Sequence, residues 1–257
     1  MPYFKYANKK IHFQEIGDGS PLVLLHGNTA SSKMFDDVID LYKDDFKLIL
    51  IDFLGHGKSD SLAEFPADLW HDEAMQIIHL LDLNKYGKVD IIGTSGGALV
   101  ALNVALERGD LVNKVIADSF EGEKSLDVLA ETIFEEREQS KSHKESYLFW
   151  EYCHGNNWRN VVDNDTDAVI RHNKSIKNFF HKDLSQLDVP VMLTASLEDE
   201  FAKILHLDFK QIYGDMLAKI PDGRLHLFQT GGHPAMLSNA VEFYSVAKNF
   251  FLTTSGQ

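Results

Sequence analysis

Residues 89–98, which read Val-Asp-Ile-Ile-Gly-Thr-Ser-Gly-Gly-Ala, decide the fold of this chain. An apolar strand runs into Gly-x-Ser-x-Gly and then into a helix-forming stretch, which is the order of a nucleophile elbow. Such a turn holds its serine in a strained backbone conformation with the hydroxyl exposed, and Gly93 and Gly97 avoid a collision within the turn. An ordinary turn with an inert serine is the alternative. The strand before and the helix after favour the elbow, so Ser95 is predicted to be a nucleophile.

Continuous apolar runs on both sides of this stretch predict further strands. Such runs are expected of strands covered on both faces, and they occur at residues 21–25, 47–51, 89–92, 114–117, 189–194 and 224–228. A hairpin of two more strands is predicted within residues 3–16. Apolar positions at helical spacing predict helices at residues 66–83, 96–107, 204–217 and 239–251. Strands that alternate with helices predict an α/β fold with a mostly parallel sheet and helices on both faces.

The composition changes between residues 121 and 187, which are rich in charged and aromatic residues and lack a buried-strand run. Residues 131–145 predict one charged amphipathic helix. An insertion of this kind predicts a small helical cap (121–187) on a core domain made of residues 1–120 and 188–257. Four aromatic residues of the cap are candidates for lining a substrate pocket, although packing between cap and core is the commoner role: Phe149, Trp150, Trp158 and Phe180.

Composition and charge restrict the class of protein. The 257 residues can form one large domain. With 25 Lys and Arg against 39 Asp and Glu, the net charge of −14 argues against nucleic-acid binding. Cys153 is the single cysteine and cannot form an intrachain disulfide, which fits a reducing compartment. The apolar runs are too short to span a bilayer, and residues 1–5 do not resemble a signal peptide. We therefore predict a cytoplasmic protein.

The candidates for a base and an acid follow strand ends. A serine hydroxyl needs a base to take its proton and a carboxylate to hold that base, and the reactive crevice of an open α/β sheet lies at the carboxyl ends of its strands. His233 follows the last strand on a pair of glycines and is the predicted base. Asp199 follows the preceding strand and is the predicted acid, with Asp118 as an alternative. Glu198 and Glu200 are interpreted as solvated charges.

Negative charge that develops on a substrate oxygen needs hydrogen-bond donors. The backbone N–H of Gly96 lies at the predicted start of a helix, where the helix dipole favours negative charge. The backbone N–H of Asn28, in the loop after the first buried strand, is the predicted second donor. The Asn28 side chain could line the pocket or cap a helix. No His-Glu-x-x-His pattern or cysteine–histidine cluster occurs, so we predict no metal and no cofactor.

Together these motifs resemble those of the α/β-hydrolase family over nearly the whole chain. His26-Gly27-Asn28 is similar to the family's His-Gly oxyanion loop, and residues 52–59 are similar to its Asp-x-x-Gly-x-Gly-x-Ser segment. Residues 93–97 match the elbow, and Asp199 and His233 fall at the acid and base positions. One departure is a serine at position 196, where the family often has glycine. The resemblance implies an eight-stranded sheet with a cap inserted after the sixth strand.

The resemblance also implies an activity. It points to a cofactor-free serine hydrolase that cleaves an ester or thioester of a small carboxylic acid through an acyl-enzyme. Relatives with similar motifs cleave carbon–carbon bonds, open lactones or catalyse elimination in menaquinone synthesis, and those alternatives stay open. For small dicarboxylates, Arg159 and Arg171 of the predicted cap are candidate binding residues. A non-catalytic ligand receptor on the same scaffold is less favoured, because it would predict a damaged triad.

Overall fold

The computed structural model describes residues 3–253. Eight strands form one sheet in the order β1-β2-β4-β3-β5-β6-β7-β8. Their bounds are β1 (Tyr3–Tyr6), β2 (Lys9–Ile16), β3 (Ser20–Leu25), β4 (Phe46–Asp52), β5 (Val89–Thr94), β6 (Val112–Asp118), β7 (Val191–Ser196) and β8 (Gly223–Phe228). Strand β2 pairs antiparallel with β1 and β4, and the other pairs are parallel. The predicted α/β fold with a mostly parallel sheet is confirmed.

Helices cover both faces of the sheet. Their bounds are α1 (Ile39–Tyr42), α2 (Leu69–Asn84), α3 (Gly96–Arg108), α4 (Asp127–Ser140), α5 (Lys144–His154), α6 (Trp158–Ser175), α7 (Glu200–Ile204), α8 (Phe209–Leu217), α9 (Ala235–Ser238) and α10 (Ala240–Leu252). Because side chains alternate along a strand, Val23 and Leu25 of β3 face the core formed with α2, α3 and α8. Leu22 and Leu24 face a second core formed with α10. This arrangement explains why the β3 run is continuously apolar.

Two predicted helices are each broken in two. The helix expected at residues 131–145 is α4 and α5, because Ser142 N and His143 N donate to the carbonyls three residues before them and so tighten the end of α4. The helix expected at residues 204–217 is α7 and α8. The Asp208 side chain accepts hydrogen bonds from the backbone of Lys210 and Gln211, and this cap starts α8 separately.

The chain between β6 and β7 carries helices α4, α5 and α6, and we call residues 119–190 the helical segment. Within it, α6 packs on α4 and α5, and it also contacts α2 of the sheet layer. The division into a core and a cap at residues 121 and 187 stays a prediction. Across residues 3–253, no helix is both long enough and apolar enough to cross a membrane.

Candidate active site

Ser95 lies at a tight turn between β5 and α3, with φ 54° and ψ −127°. A positive φ is unusual for a non-glycine residue and costs about 1–3 kcal/mol. The sheet holds the turn in place, since Ser95 N donates to the Asp118 carbonyl at 2.7 Å. A Cβ at Gly93 would lie 2.0 Å from the Gly97 carbonyl oxygen, and one at Gly97 would lie 2.2 Å from the Leu25 carbonyl oxygen. Neither position therefore has room for a side chain.

His233 is held by Asp199. The ring Nδ1 lies 2.9 Å from Asp199 Oδ2, and because a carboxylate can only accept, the proton is on Nδ1 and Nε2 is free to accept. Asp199 is fully buried, and its Oδ1 accepts a hydrogen bond from Ala202 N at 3.0 Å. Burial lowers the pKa of His233, but the hydrogen bond and the charge of Asp199 outweigh it and raise the pKa above its ordinary value.

Glu200, which the sequence predicts to be a solvated charge, also holds the His233 loop. Its Oε2 accepts a hydrogen bond from His233 N at 3.0 Å. A Cβ at Gly232 would lie 2.6 Å from the same oxygen, so the glycine leaves room for this contact. The Glu200 residue is exposed. Its contact joins the first residue of α7 to a loop 33 residues later, and neither burial nor a local pattern marks it in the sequence.

Asp118 has other partners than His233. Its Oδ1 accepts hydrogen bonds from Thr194 Oγ1 at 2.7 Å and Ser119 Oγ at 3.1 Å, and its Oδ2 accepts one from Met236 N at 3.0 Å. Burial raises the pKa of Asp118 to about 6. This carboxyl joins β6 to β7 and to α9, so the alternative acid is excluded as the hydrogen-bond partner of His233.

The loops of His26 and Asp52 form a scaffold beside the site. Asp52 accepts hydrogen bonds from the backbone of Ser32 at 2.8 Å and Lys58 at 2.9 Å. Burial lowers the pKa of His26 to about 4, and its Nε2 accepts a hydrogen bond from Phe53 N at 3.3 Å. His26 is thus a neutral, buried group that joins two loops.

Ser95 and His233 line one cavity with a volume of about 290 Å³. Asn28, Gly96 and Trp150 also line it. Among residues 3–253, no side chain hydrogen-bonds the Ser95 hydroxyl; such contacts often form only in the substrate complex. The apolar part of the wall comes from Leu99, Leu129, Ile133, Trp150, Val169 and Phe201.

Of the four aromatic residues predicted to line a pocket, Trp150 is the one that the structure places at this cavity. Trp158 lies behind it, with the two rings stacked at 5.6 Å. Phe149 is 39% exposed, because adjacent positions on a helix point about 100° apart and the neighbouring Trp150 is the one that faces inward. Phe180 packs in the main core and borders a separate surface depression. The prediction is corrected for these three residues.

The Asn28 side chain sits between the helical segment and the elbow. Its Nδ2 donates to Asp165 Oδ2 at 2.9 Å, and its Oδ1 accepts a hydrogen bond from Trp70 Nε1 at 3.1 Å. A Cβ at Gly96 would lie 1.8 Å from Asn28 Oδ1. The side chain is not a helix cap, since Ser31 caps the following turn. The backbone N–H groups of Asn28 and Gly96 have no acceptor within residues 3–253.

Arg137 is a positively charged cavity residue that the sequence analysis does not predict. It lies on α4, with Nη2 3.2 Å from Asp165 Oδ1, and its Nη1 is buried without a hydrogen-bond partner among the described residues. Leu129 and Ile133 precede it at intervals of four on the same helix face, and both are buried. The signal present in the sequence is therefore a positively charged residue at the end of an apolar helix face.

The two arginines proposed from the sequence lie elsewhere. Arg171 pairs with Glu64 at 3.0 Å and Asp167 at 2.6 Å. The Arg159 guanidinium lies over the Trp158 ring at 4.3 Å. Neither side chain lines the cavity of Ser95, so the prediction for both is corrected.

Asp68, His71 and His181 form a cluster of metal-ligand types at the surface, with ligand atoms within 4.8 Å of one another. The two imidazole rings are stacked at 3.9 Å with 16° between their planes. His181 Nε2 already pairs with Asp68 Oδ2 at 2.6 Å. Lone pairs of parallel rings do not converge on one point, so the rings would have to turn apart to share an ion.

Comparisons with known proteins show which family and fold this chain resembles. A family model described as the alpha/beta hydrolase fold matches residues 20–147. An (E)-2-((N-methylformamido)methylene)succinate hydrolase of Acinetobacter baylyi is 34% identical over 109 residues, which are 42% of this chain and 40% of that protein. The match thus spans less than half of that relative. A 2-hydroxy-6-oxo-6-phenylhexa-2,4-dienoate hydrolase of Comamonas testosteroni is 26% identical over an alignment 271 positions long. That alignment covers 93% of this chain and 90% of the relative.

Among solved structures, an esterase from Exiguobacterium antarcticum superimposes with a TM-score of 0.76 at 21% identity, covering 98% of this chain and 99% of that one. At this identity the likeness concerns the fold. The family-model match and the eight-stranded, mostly parallel sheet lead to one conclusion: this chain belongs to the α/β-hydrolase fold family.

Proposed function

We propose that the protein is a serine hydrolase that cleaves a carboxylic ester or thioester of a small molecule through an acyl-enzyme intermediate. One observation carries the proposal. Ser95, on a strained turn, and His233, whose Nδ1 is held by the buried Asp199, line the same cavity. A hydroxyl and an oriented imidazole at one cavity are what nucleophilic acyl transfer needs.

The roles follow from the donors and acceptors available. His233 Nε2 accepts the Ser95 proton while Ser95 Oγ attacks the substrate carbonyl, and Asp199 stabilises the imidazolium that forms. The free backbone N–H groups of Asn28 and Gly96 hold the tetrahedral oxyanion. His233 then gives the proton to the leaving group. In the second half-reaction it activates water, which releases the acid from Ser95.

A panel of neutral esters, thioesters and lactones of graded acyl length tests the proposal, with Ser95→Ala as the control. We expect turnover of at least one ester, falling to background in the variant. If no member is turned over by the wild-type protein while a ligand binds tightly in the cavity, the chain is a receptor and the hydrolase proposal fails.

A second candidate is a hydrolase for substrates that carry a carboxylate, including carbon–carbon bond hydrolases. The unpartnered Nη1 of Arg137 in the cavity wall favours it, because a buried guanidinium N–H gains a charge-assisted hydrogen bond from a carboxylate. The relatives named above are a succinate hydrolase and a dienoate hydrolase. Faster turnover of a vinylogous diketone acid than of any simple ester would favour this candidate.

A further inference from the structure

Thr29, next to the proposed oxyanion donor Asn28, has a backbone φ of 56°. This region of conformational space is unusual for any non-glycine residue and is a clear outlier for a β-branched one. Such a conformation persists only where the surroundings over-determine it, and it occurs most often at functional sites. The contacts that hold Thr29 therefore bear on the loop formed by residues 27–29, which we call the oxyanion loop.

Two buried side chains of the helical segment hydrogen-bond the polar groups of Thr29. Trp150 Nε1 donates to Thr29 Oγ1 at 3.1 Å, and His154 Nε2 lies 2.8 Å from the Thr29 carbonyl oxygen. Burial raises the pKa of Asp165 on α6, and the charge of Arg137 and hydrogen bonds from the Arg137 and Asn28 side chains oppose the rise. The hydroxyl and the carbonyl of one strained residue are thus both engaged by side chains of α5.

The protonation of His154 fits this role. Gly57 N donates to its Nδ1 at 3.0 Å, so Nδ1 accepts and Nε2 carries the proton that the Thr29 carbonyl receives. Burial lowers the pKa of His154 and keeps the ring neutral. A neutral ring with one donor and one acceptor satisfies both neighbours.

Asp165 connects this arrangement to the cavity wall. The carboxylate is fully buried and also accepts a hydrogen bond from Asn28 Nδ2 at 2.9 Å. On its other side it pairs with Arg137 Nη2 at 3.2 Å. A single buried carboxylate therefore contacts both the side chain of the proposed donor residue, Asn28, and Arg137, which is the one lysine or arginine among the described residues that line the cavity.

We propose that Asp165 is a positioning residue that, with Trp150 and His154, holds the oxyanion loop so that the Asn28 backbone N–H faces the reacting carbonyl. The proposal rests on the proposed function, since a donor is positioned only if an oxyanion forms. It gives the helical segment a part in transition-state stabilisation besides its part in shaping the cavity. The competing explanation is that these contacts only fasten the helical segment to the sheet layer.

Kinetics of Asp165→Asn and His154→Leu on the best ester of the panel distinguish the two explanations. We expect kcat to fall about 10- to 100-fold with KM within a few-fold, because a misplaced donor weakens the transition state more than the ground state. His154→Gln keeps an N–H donor for Thr29 and should recover part of the loss. Trp150→Phe removes the indole N–H, and Trp158→Phe is its matched control because, among the described residues, Trp158 makes no hydrogen bond to Thr29.

Amide hydrogen exchange of the resting protein provides a readout that needs no turnover. Asp165→Asn should speed exchange in a peptide covering residues 27–31 and leave a peptide covering residues 93–98 unchanged. Faster exchange in a protein that turns over no ester would show that Asp165 holds the oxyanion loop, but it would reject the proposed function and the positioning role that rests on it. Unchanged exchange with unchanged kcat would overturn the positioning role. Equal losses of kcat in Trp150→Phe and Trp158→Phe would also overturn the positioning role. So would variants in which only KM or the melting temperature changes.

Discussion

Two strained residues flank the cavity, and they are held in different ways. Ser95 and Thr29 have nearly equal φ values of 54° and 56°, and each follows one of the neighbouring strands β5 and β3. The turn at Ser95 is held by glycines two positions away and by the carbonyl of Asp118 on the adjacent strand. Thr29 is held by side chains that lie more than 120 positions later in the chain.

The difference separates a core-held side of the site from a segment-held side. The core-held side, with Ser95, His233 and Asp199, depends on the sheet and its loops. The segment-held side, with Asn28, Thr29 and Arg137, depends on helices α4 to α6. The first side supplies the proposed nucleophile, base and acid, and the second supplies the Asn28 oxyanion donor through a loop whose support can change with the inserted helices. Perturbing each side separately tests this division.

The largest effect is expected on the core-held side, from Asp199→Asn. Loss of the carboxylate leaves Nδ1 of His233 without its charged acceptor, and we expect kcat/KM to fall about 10³- to 10⁴-fold. The base must be unprotonated, so activity rises with pH through the pKa of His233. Asp199 raises that pKa, so removing its charge should move the acidic limb of the pH profile to lower pH. A pH–rate profile of wild type and variant measures both effects.

Glu198 is an exposed neighbour of Asp199 and provides the control for that substitution. Glu198→Gln should change neither kcat/KM nor the pH–rate profile. An acidic limb that stays in place in Asp199→Asn would contradict the assignment of His233 as the base.

The elbow itself is tested by Gly93→Ala. The added Cβ would lie 2.0 Å from a backbone oxygen, and overpacking of this kind costs about 1–3 kcal/mol. Gly214→Ala is the matched control, because nothing lies within 4 Å of the added Cβ and the position is in α8. Denaturant unfolding should show a lower free energy of unfolding for Gly93→Ala and an unchanged one for Gly214→Ala. Equal stability of the two variants would mean that the turn is not constrained as described.

On the segment-held side, Arg137→Gln separates two substrate classes. We expect KM for a carboxylate-bearing ester to rise about 10-fold or more, in line with a lost charge-assisted hydrogen bond. The matched neutral ester should change much less. Arg159→Gln, outside the cavity, should leave both values unchanged. Equal effects of Arg137→Gln on both esters would remove the support for a carboxylate subsite.

The smallest effect is expected from Thr29→Gly. Glycine adopts a positive φ without strain, so the melting temperature should change little even though the contact with Trp150 is lost. The freed loop should lower kcat several-fold, in the direction expected for a mispositioned donor. Thr29→Ser keeps the hydroxyl and should stay close to wild type. A glycine variant with full kcat would show that the loop needs no support from the helices.

The same division separates what the sequence predicts from what it does not. The elbow is predictable because Gly93, Ser95 and Gly97 are adjacent, and the strand pattern around them is periodic. Asp199 and His233 are predictable because strand ends in a parallel sheet share one edge. The contacts of Thr29 with Trp150 and His154 join positions so far apart in the sequence that no local pattern predicts them. Glu200 is exposed and carries no burial signal, while Arg137 was visible only as a cation at the end of an apolar helix stripe.

The central claim is that Ser95 is a nucleophile activated by His233. Treatment with a fluorophosphonate probe, followed by intact-mass and peptide analysis, tests it most directly. We predict one phosphonyl adduct on Ser95 in the wild-type protein, much slower labelling in His233→Ala, and none in Ser95→Ala. Labelling that is absent from the wild type, or that persists unchanged in Ser95→Ala, would contradict the claim.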